Sequence, residues 1–123
     1  MAWELKTDRP IYTQLQDHIK LCIISGKYLP GDKLPSVRDL AEEAAVNPNT
    51  MQKALAELER LGMVYTQRTS GRFITEDIQM IEDLKKNIAK EQITEFFKAM
   101  KKIGFSVQET IQIIEKEAKE LTI

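Results

Sequence analysis

Cysteine and histidine occur once each in these 123 residues. Cys22 alone cannot build a disulfide framework, and His18 alone cannot anchor a His-rich metal site. Of five glycines, none sits in a phosphate-cradling pattern, which argues against nucleotide chemistry. No stretch approaches the roughly 18 consecutive apolar residues that a membrane helix needs. The start, Met1-Ala2-Trp3-Glu4-Leu5-Lys6, lacks the basic-then-apolar order of a signal peptide, so a reducing cytoplasm is the expected compartment. A basic excess, the usual footprint of nucleic-acid binding, is missing too, with a net charge of −1. Residues 1–75 carry ten Lys/Arg against nine Asp/Glu, and residues 76–123 eight against ten. Any argument for DNA must therefore come from where the cations stand.

The hydrophobic share of 42% suffices for one small packed domain with an appendage. Residues 8–26 predict a first helix, with Asp8 as cap, Pro10 in the first turn and Gly26 as stop. Its apolar face is Ile11, Leu15, Ile19, Cys22 and Ile23. His18 and Cys22, one turn apart, read as packing, and Tyr12 reads as a structural ring. Residues 26–35 predict a turn-rich connector around Pro30-Gly31. Ser36 and Asp39 predict a capping box for a short second helix with Val37, Leu40, Ala41 and Ala44 inward. Asn47 and Pro48 predict the cap and first residue of a third helix ending at Leu61-Gly62, with Met51, Ala54, Leu55, Leu58 and Leu61 buried. Met63–Gln67 and Arg72–Thr75 predict a β-hairpin around Arg68-Thr69-Ser70-Gly71. Beyond a boundary near Thr75-Glu76, a long helix to 103 and a last helix opened by the box Ser106/Glu109 complete the chain.

The predicted fold is mainly α with a small β-hairpin: a winged helix-turn-helix over 1–75, followed by a two-helix dimerisation region over 76–123. In that motif the second helix braces the third, whose polar first turns enter the major groove of DNA. Side-chain amides suit base edges because they donate and accept together. Asn49 and Gln52, on the outward side of that helix, are therefore candidate readers. Lys53 and Arg60 suit phosphate, and helix N-termini, including that at Ser36, add partial positive charge. Arg68, Ser70, Gly71 and Arg72 form a hairpin tip fit to reach the DNA backbone, and Gly71 permits close approach.

The runs Pro10-Ile11-Tyr12-Thr13-Gln14-Leu15, Leu29-Pro30-Gly31-Asp32-Lys33-Leu34-Pro35-Ser36-Val37-Arg38-Asp39-Leu40-Ala41, Val46-Asn47-Pro48-Asn49-Thr50-Met51-Gln52-Lys53-Ala54-Leu55 and Gly71-Arg72-Phe73 resemble the GntR transcriptional regulators. The resemblance spans most of residues 10–75. It implies that Arg38 holds DNA from the second helix, that Asn47, Asn49, Thr50, Gln52 and Lys53 touch it from the third, and that Ser70 and Gly71 form the wing tip. Some relatives carry arginine where Pro48 and Gln52 stand, so their base preference does not transfer. The short C-terminal part resembles the YtrA-like subfamily, which implies dimerisation through two helices and control of transporter operons.

The apolar residues Ile81, Leu84, Ile88, Ile93, Phe96, Phe97, Met100, Ile111 and Ile114 are accordingly the expected dimer face. The expected function is a dimeric repressor on an inverted-repeat operator in double-stranded DNA. An unidentified small-molecule effector is a further partner to look for, and neither cofactor nor metal is expected. A winged-helix module binding protein instead of DNA is the alternative, and an enzyme a distant third, since no nucleophile–base set is visible.

Overall fold

A computed structural model describes residues 3–122. The element order is α1 (Ile11–Ile24), α2 (Val37–Ala44), α3 (Pro48–Arg60), β1 (Val64–Gln67), β2 (Gly71–Ile74), α4 (Ile78–Lys102) and α5 (Val107–Glu120). The mainly helical architecture with one antiparallel hairpin matches the expectation.

The chain divides into two compact units between Leu84 and Lys85, so the first turns of α4 belong to the first unit. The sequence placed the boundary earlier, where the hairpin ends. In this first unit α3 packs against both α1 and α2. Its stripe Met51, Ala54, Leu55 and Leu58 meets Leu15, Ile19 and Ile23 of α1 and Leu40, Ala41 and Ala44 of α2 in one core. Burying a side chain such as Leu58 contributes roughly 2 kcal/mol. Leu61 departs from its expected place: it is 40% exposed, because it lies one residue past the last helical residue. Ile81, expected at the dimer face, is 9% exposed within the first unit's core, and Leu84 packs against that core. A continuous apolar stripe shows that a partner exists but not which one.

The helix ends follow local chemistry. Pro10, not Asp8, precedes α1, and no side chain caps it. Ser36 Oγ accepts from the Asp39 N–H at 3.1 Å, so half of the expected box is present. Asn47 Oδ1 accepts from the Asn49 N–H at 2.7 Å. Between α2 and α3 the chain reverses at Ala45, whose φ of 60° is left-handed, and the Val46 N–H donates to the Ala41 carbonyl at 2.9 Å. At the second unit's start of α5, Ser106 and Glu109 complete a reciprocal capping box.

The connector before α2 is more than a turn. Lys33 bridges Phe73 antiparallel, the Leu34 N–H donates to the Arg72 carbonyl at 2.9 Å, and the Ile74 N–H donates to the Asp32 carbonyl at 2.8 Å. The connector thus adds an isolated bridge beside β2. The segment before α1 is strapped down as well. The Gln14 side chain accepts from the Lys6 N–H at 2.6 Å and donates to the Lys6 carbonyl at 2.7 Å. Trp3 stacks on His18, ring centroids 3.8 Å apart, and its indole N–H donates to Glu43 at 3.2 Å.

The second unit holds the rest of α4 and all of α5. A cleft of about 440 Å³ near their connecting turn is lined by Phe97, Lys98, Lys101, Phe105 and Val107. Phe96 and Phe97 meet edge to face, with centroids 6.0 Å apart. Ile93, Phe96, Ile103, Val107, Ile111, Ile114 and Leu121 are 39–72% exposed.

Candidate nucleic-acid interface

Two helix N-termini and the hairpin tip build the candidate surface of the first unit. Ser36 and Arg38 are exposed at the start of α2. Asn47, Asn49, Gln52 and Lys53 are exposed over the first turns of α3, and Thr50 is half-buried. Their exposure follows from the stripe beneath: Met51, Ala54 and Leu55 take the core side, and the residues between them face outward. Pro48 at the first helical position lacks an N–H where none would be bonded within the helix anyway. Asn47 spends its side-chain oxygen on capping, which directs its amide NH₂ group away from the helix end.

A cleft of about 720 Å³ joins the start of α2 to the hairpin tip, lined by Lys33, Ser36, Asp39, Ser70, Gly71 and Arg72 among others. It brings together the predicted residues Ser36, Ser70, Gly71 and Arg72. Arg38 and the α3 residues lie outside its lining. Gly71 has a φ of +106°, and a Cβ there would come within 3.3 Å of Lys33 Cε. Its glycine is therefore favoured by the backbone conformation, and the exposed Lys33 stem lies close beside it.

The cations differ in how free they are. Arg68 is exposed at the turn between β1 and β2. Arg72 is not free: its Nε donates to Glu59 of α3 at 3.2 Å, and its side chain is 19% exposed. Glu59 also accepts from the Thr66 hydroxyl at 2.7 Å. Those donors, Thr66 first and Arg72 second, hold the Glu59 carboxyl below the usual carboxylate range. Arg60, read as a phosphate contact, pairs with Glu57 one turn back on α3. Lys53 Nζ stands 3.9 Å from the centroid of the Tyr12 ring.

Three residues at this surface escaped the sequence reading. Lys33 was hidden in the connector, although it stands within the matched motif. Glu59 was hidden because its partners lie on the hairpin. Tyr12 was assigned to packing alone.

The family profile "Bacterial regulatory proteins, gntR family" matches residues 11–74. This chain belongs to the GntR family. The HTH-type transcriptional repressor YtrA of Bacillus subtilis (strain 168) is 42% identical over 89 residues, covering 72% of this chain and 68% of that one. A GntR family transcriptional regulator from Listeria monocytogenes superposes with a TM-score of 0.83 at 41% identity, covering 91% of this chain and 98% of that one. The AraR DNA-binding domain in complex with operator ORX1 aligns with a TM-score of 0.53 at 27% identity, covering 61% of this chain and 99% of that one. Its GntR relatives are transcriptional regulators and not enzymes, and the chain is a DNA-binding regulator of the YtrA type. No described helix of this GntR protein is long and apolar enough to cross a membrane.

Proposed function

We propose that this GntR protein is a homodimeric repressor that reads an inverted-repeat operator in the cytoplasm. The observation that carries the reading is the exposed polar turn from Asn47 to Lys53, standing over a fully packed stripe on the same helix. In this role Gln52, Asn49 and Thr50 meet base edges in the major groove, and Asn47 contributes its amide. Arg38, Lys53, Arg68 and the N-termini of α2 and α3 meet phosphate. Ser36, Ser70 and Gly71 offer short side chains and bare backbone to the sugar-phosphate chain. Arg72 reaches phosphate only by exchanging Glu59 for it.

Two-fold pairing supports the reading energetically. The exposed apolar residues Ile93, Phe96, Ile111 and Ile114, with half-buried Ile88, Phe97 and Met100, supply an unpartnered face. Pairing sets two recognition helices about 34 Å apart, one turn of DNA. It also doubles the phosphate contacts, which offsets the poor net charge. Repression is supported by the name of the YtrA relative, and transporter operons with a small-molecule effector are the proposed setting.

The test uses fluorescence anisotropy with a duplex selected by the wild-type protein from a random pool. Arg38→Ala should weaken binding to every duplex about 10-fold or more, while Gln52→Ala should alter base preference at one position per half-site. Full affinity and unchanged preference in both variants would end this assignment.

A further inference from the structure

Tyr12 belongs to α1, outside the helix-turn-helix and the hairpin, yet its ring is what the recognition helix touches with its free lysine. The ring is half-buried and packs against the core, so its position is set by the core and not by solvent. The Lys53 ammonium lies 3.9 Å from the ring centroid, within the range where the negative ring face attracts a cation. Among the cations assigned to DNA, Arg72 is held by a carboxylate, which phosphate must displace. A ring is different. It has no charge for phosphate to compete with, and it leaves the far side of the ammonium open.

We propose that Tyr12 is a positioning residue for DNA recognition: its ring face fixes the Lys53 ammonium toward the DNA backbone before DNA arrives. A lysine otherwise brings a long, freely rotating stem that must be ordered on binding, and preordering removes that cost. Phosphate contacts set the register of a recognition helix, and Gln52 is the adjacent residue, about 100° around the helix. Fixing Lys53 on the backbone therefore fixes the angle at which the Gln52 amide meets its base. The inference rests on the reading that α3 enters the groove.

The experiment compares wild type, Tyr12→Phe, Tyr12→Leu, Lys53→Ala and the double variant Y12L/K53A, all full-length, on the selected duplex across salt. Phe keeps the ring face and should bind within about 2-fold of wild type. Leu should lose roughly 5- to 10-fold in affinity. The Lys53→Ala variant should lower the salt slope by about 1 per protomer. In the double variant, adding Tyr12→Leu to Lys53→Ala should cost nothing more. A second readout needs no DNA: the Lys53 ε-methylene protons should be shifted upfield by the ring in wild type and in Tyr12→Phe. Three results overturn the proposal. One is equal losses from Tyr12→Leu with and without Lys53, which makes the ring purely structural. Another is a loss in Tyr12→Phe matching that of Leu, which assigns the effect to the hydroxyl. The last is an unshifted Lys53 methylene. A wild-type protein that selects no duplex, with the Lys53 methylene still shifted, refutes the groove reading itself and takes this proposal with it.

Discussion

Replacing Ile111 and Ile114 together with glutamate tests the proposed pairing and its use at once. Both side chains are 39% exposed in the single chain, so the substitution spares the first unit's core. In a two-fold interface each substitution appears twice, giving four carboxylates in an apolar contact. Burying a polar group without a partner costs about 1–3 kcal/mol by the mutational scale, and a charge more. The summed penalty is at least about 5 kcal/mol, which raises the dimer dissociation constant by more than about 1,000-fold. A micromolar dimer becomes a monomer at any practical concentration. The consequence for DNA follows from charge. Lys33, Arg38, Lys53 and Arg68 are the exposed cations at the candidate surface of each protomer. A dimer engaging all of them should show a slope of log affinity on log salt of about −7, and a monomer about −3.5. Sedimentation equilibrium reports the assembly, and anisotropy titrations at several salt concentrations report the slope. A variant that stays dimeric refutes the α5 face as interface. A monomer that keeps the full slope refutes the idea that two reading heads share one operator.

Two further outcomes are expected. Burial first, then Lys27, pushes the His18 pKa below its usual 6.5, with Glu43 opposing. The unfolded chain thus binds that proton more readily, so stability is complete above about pH 6.5 and falls as pH drops below it. Thermal melts should show this loss between pH 7 and 5, and His18→Gln should flatten it; an unchanged profile contradicts the assignment. Glu59→Ala removes the acceptor shared by Thr66 and Arg72. Both groups are partly exposed, so the cost should be about 1 kcal/mol, a fall in Tm of about 4–8 °C, and Arg72 is freed for phosphate. An unaltered Tm, measured by calorimetry, would show that this contact does not hold the hairpin.

The parts of the molecule that were legible in sequence are those governed by neighbours along the chain. Asn47 before Pro48, and Ser106 three residues before Glu109, state helix starts in local chemistry, and the caps form as read. The core stripe of α3 is legible because periodicity identifies a face. What periodicity cannot identify is the surface opposite. Ile81 and Leu84 continue the apolar pattern of α4 but serve the first unit. The Gln14 clamp on Lys6, the Trp3–His18 stack and the Glu59–Arg72 pair are all tertiary, and no local spacing announces them. The same holds for the candidate site: which residues are exposed could be read, but which cations are already engaged could not. The bridge at Lys33 is not legible because a single pairing is too short for an alternating pattern to show.

That bridge makes the loop ahead of α2 a ruler. Leu34 is buried while Lys33 is exposed beside the glycine at the hairpin tip, and their alternation is fixed by pairing with β2. Deleting Asp32 with Gly31 held in place would slip both by one position along β2, turning the Leu34 isobutyl group toward water. Length variation there carries that cost even though the segment reads as a surface turn. The stretch joining the first two helices keeps count for the whole candidate surface.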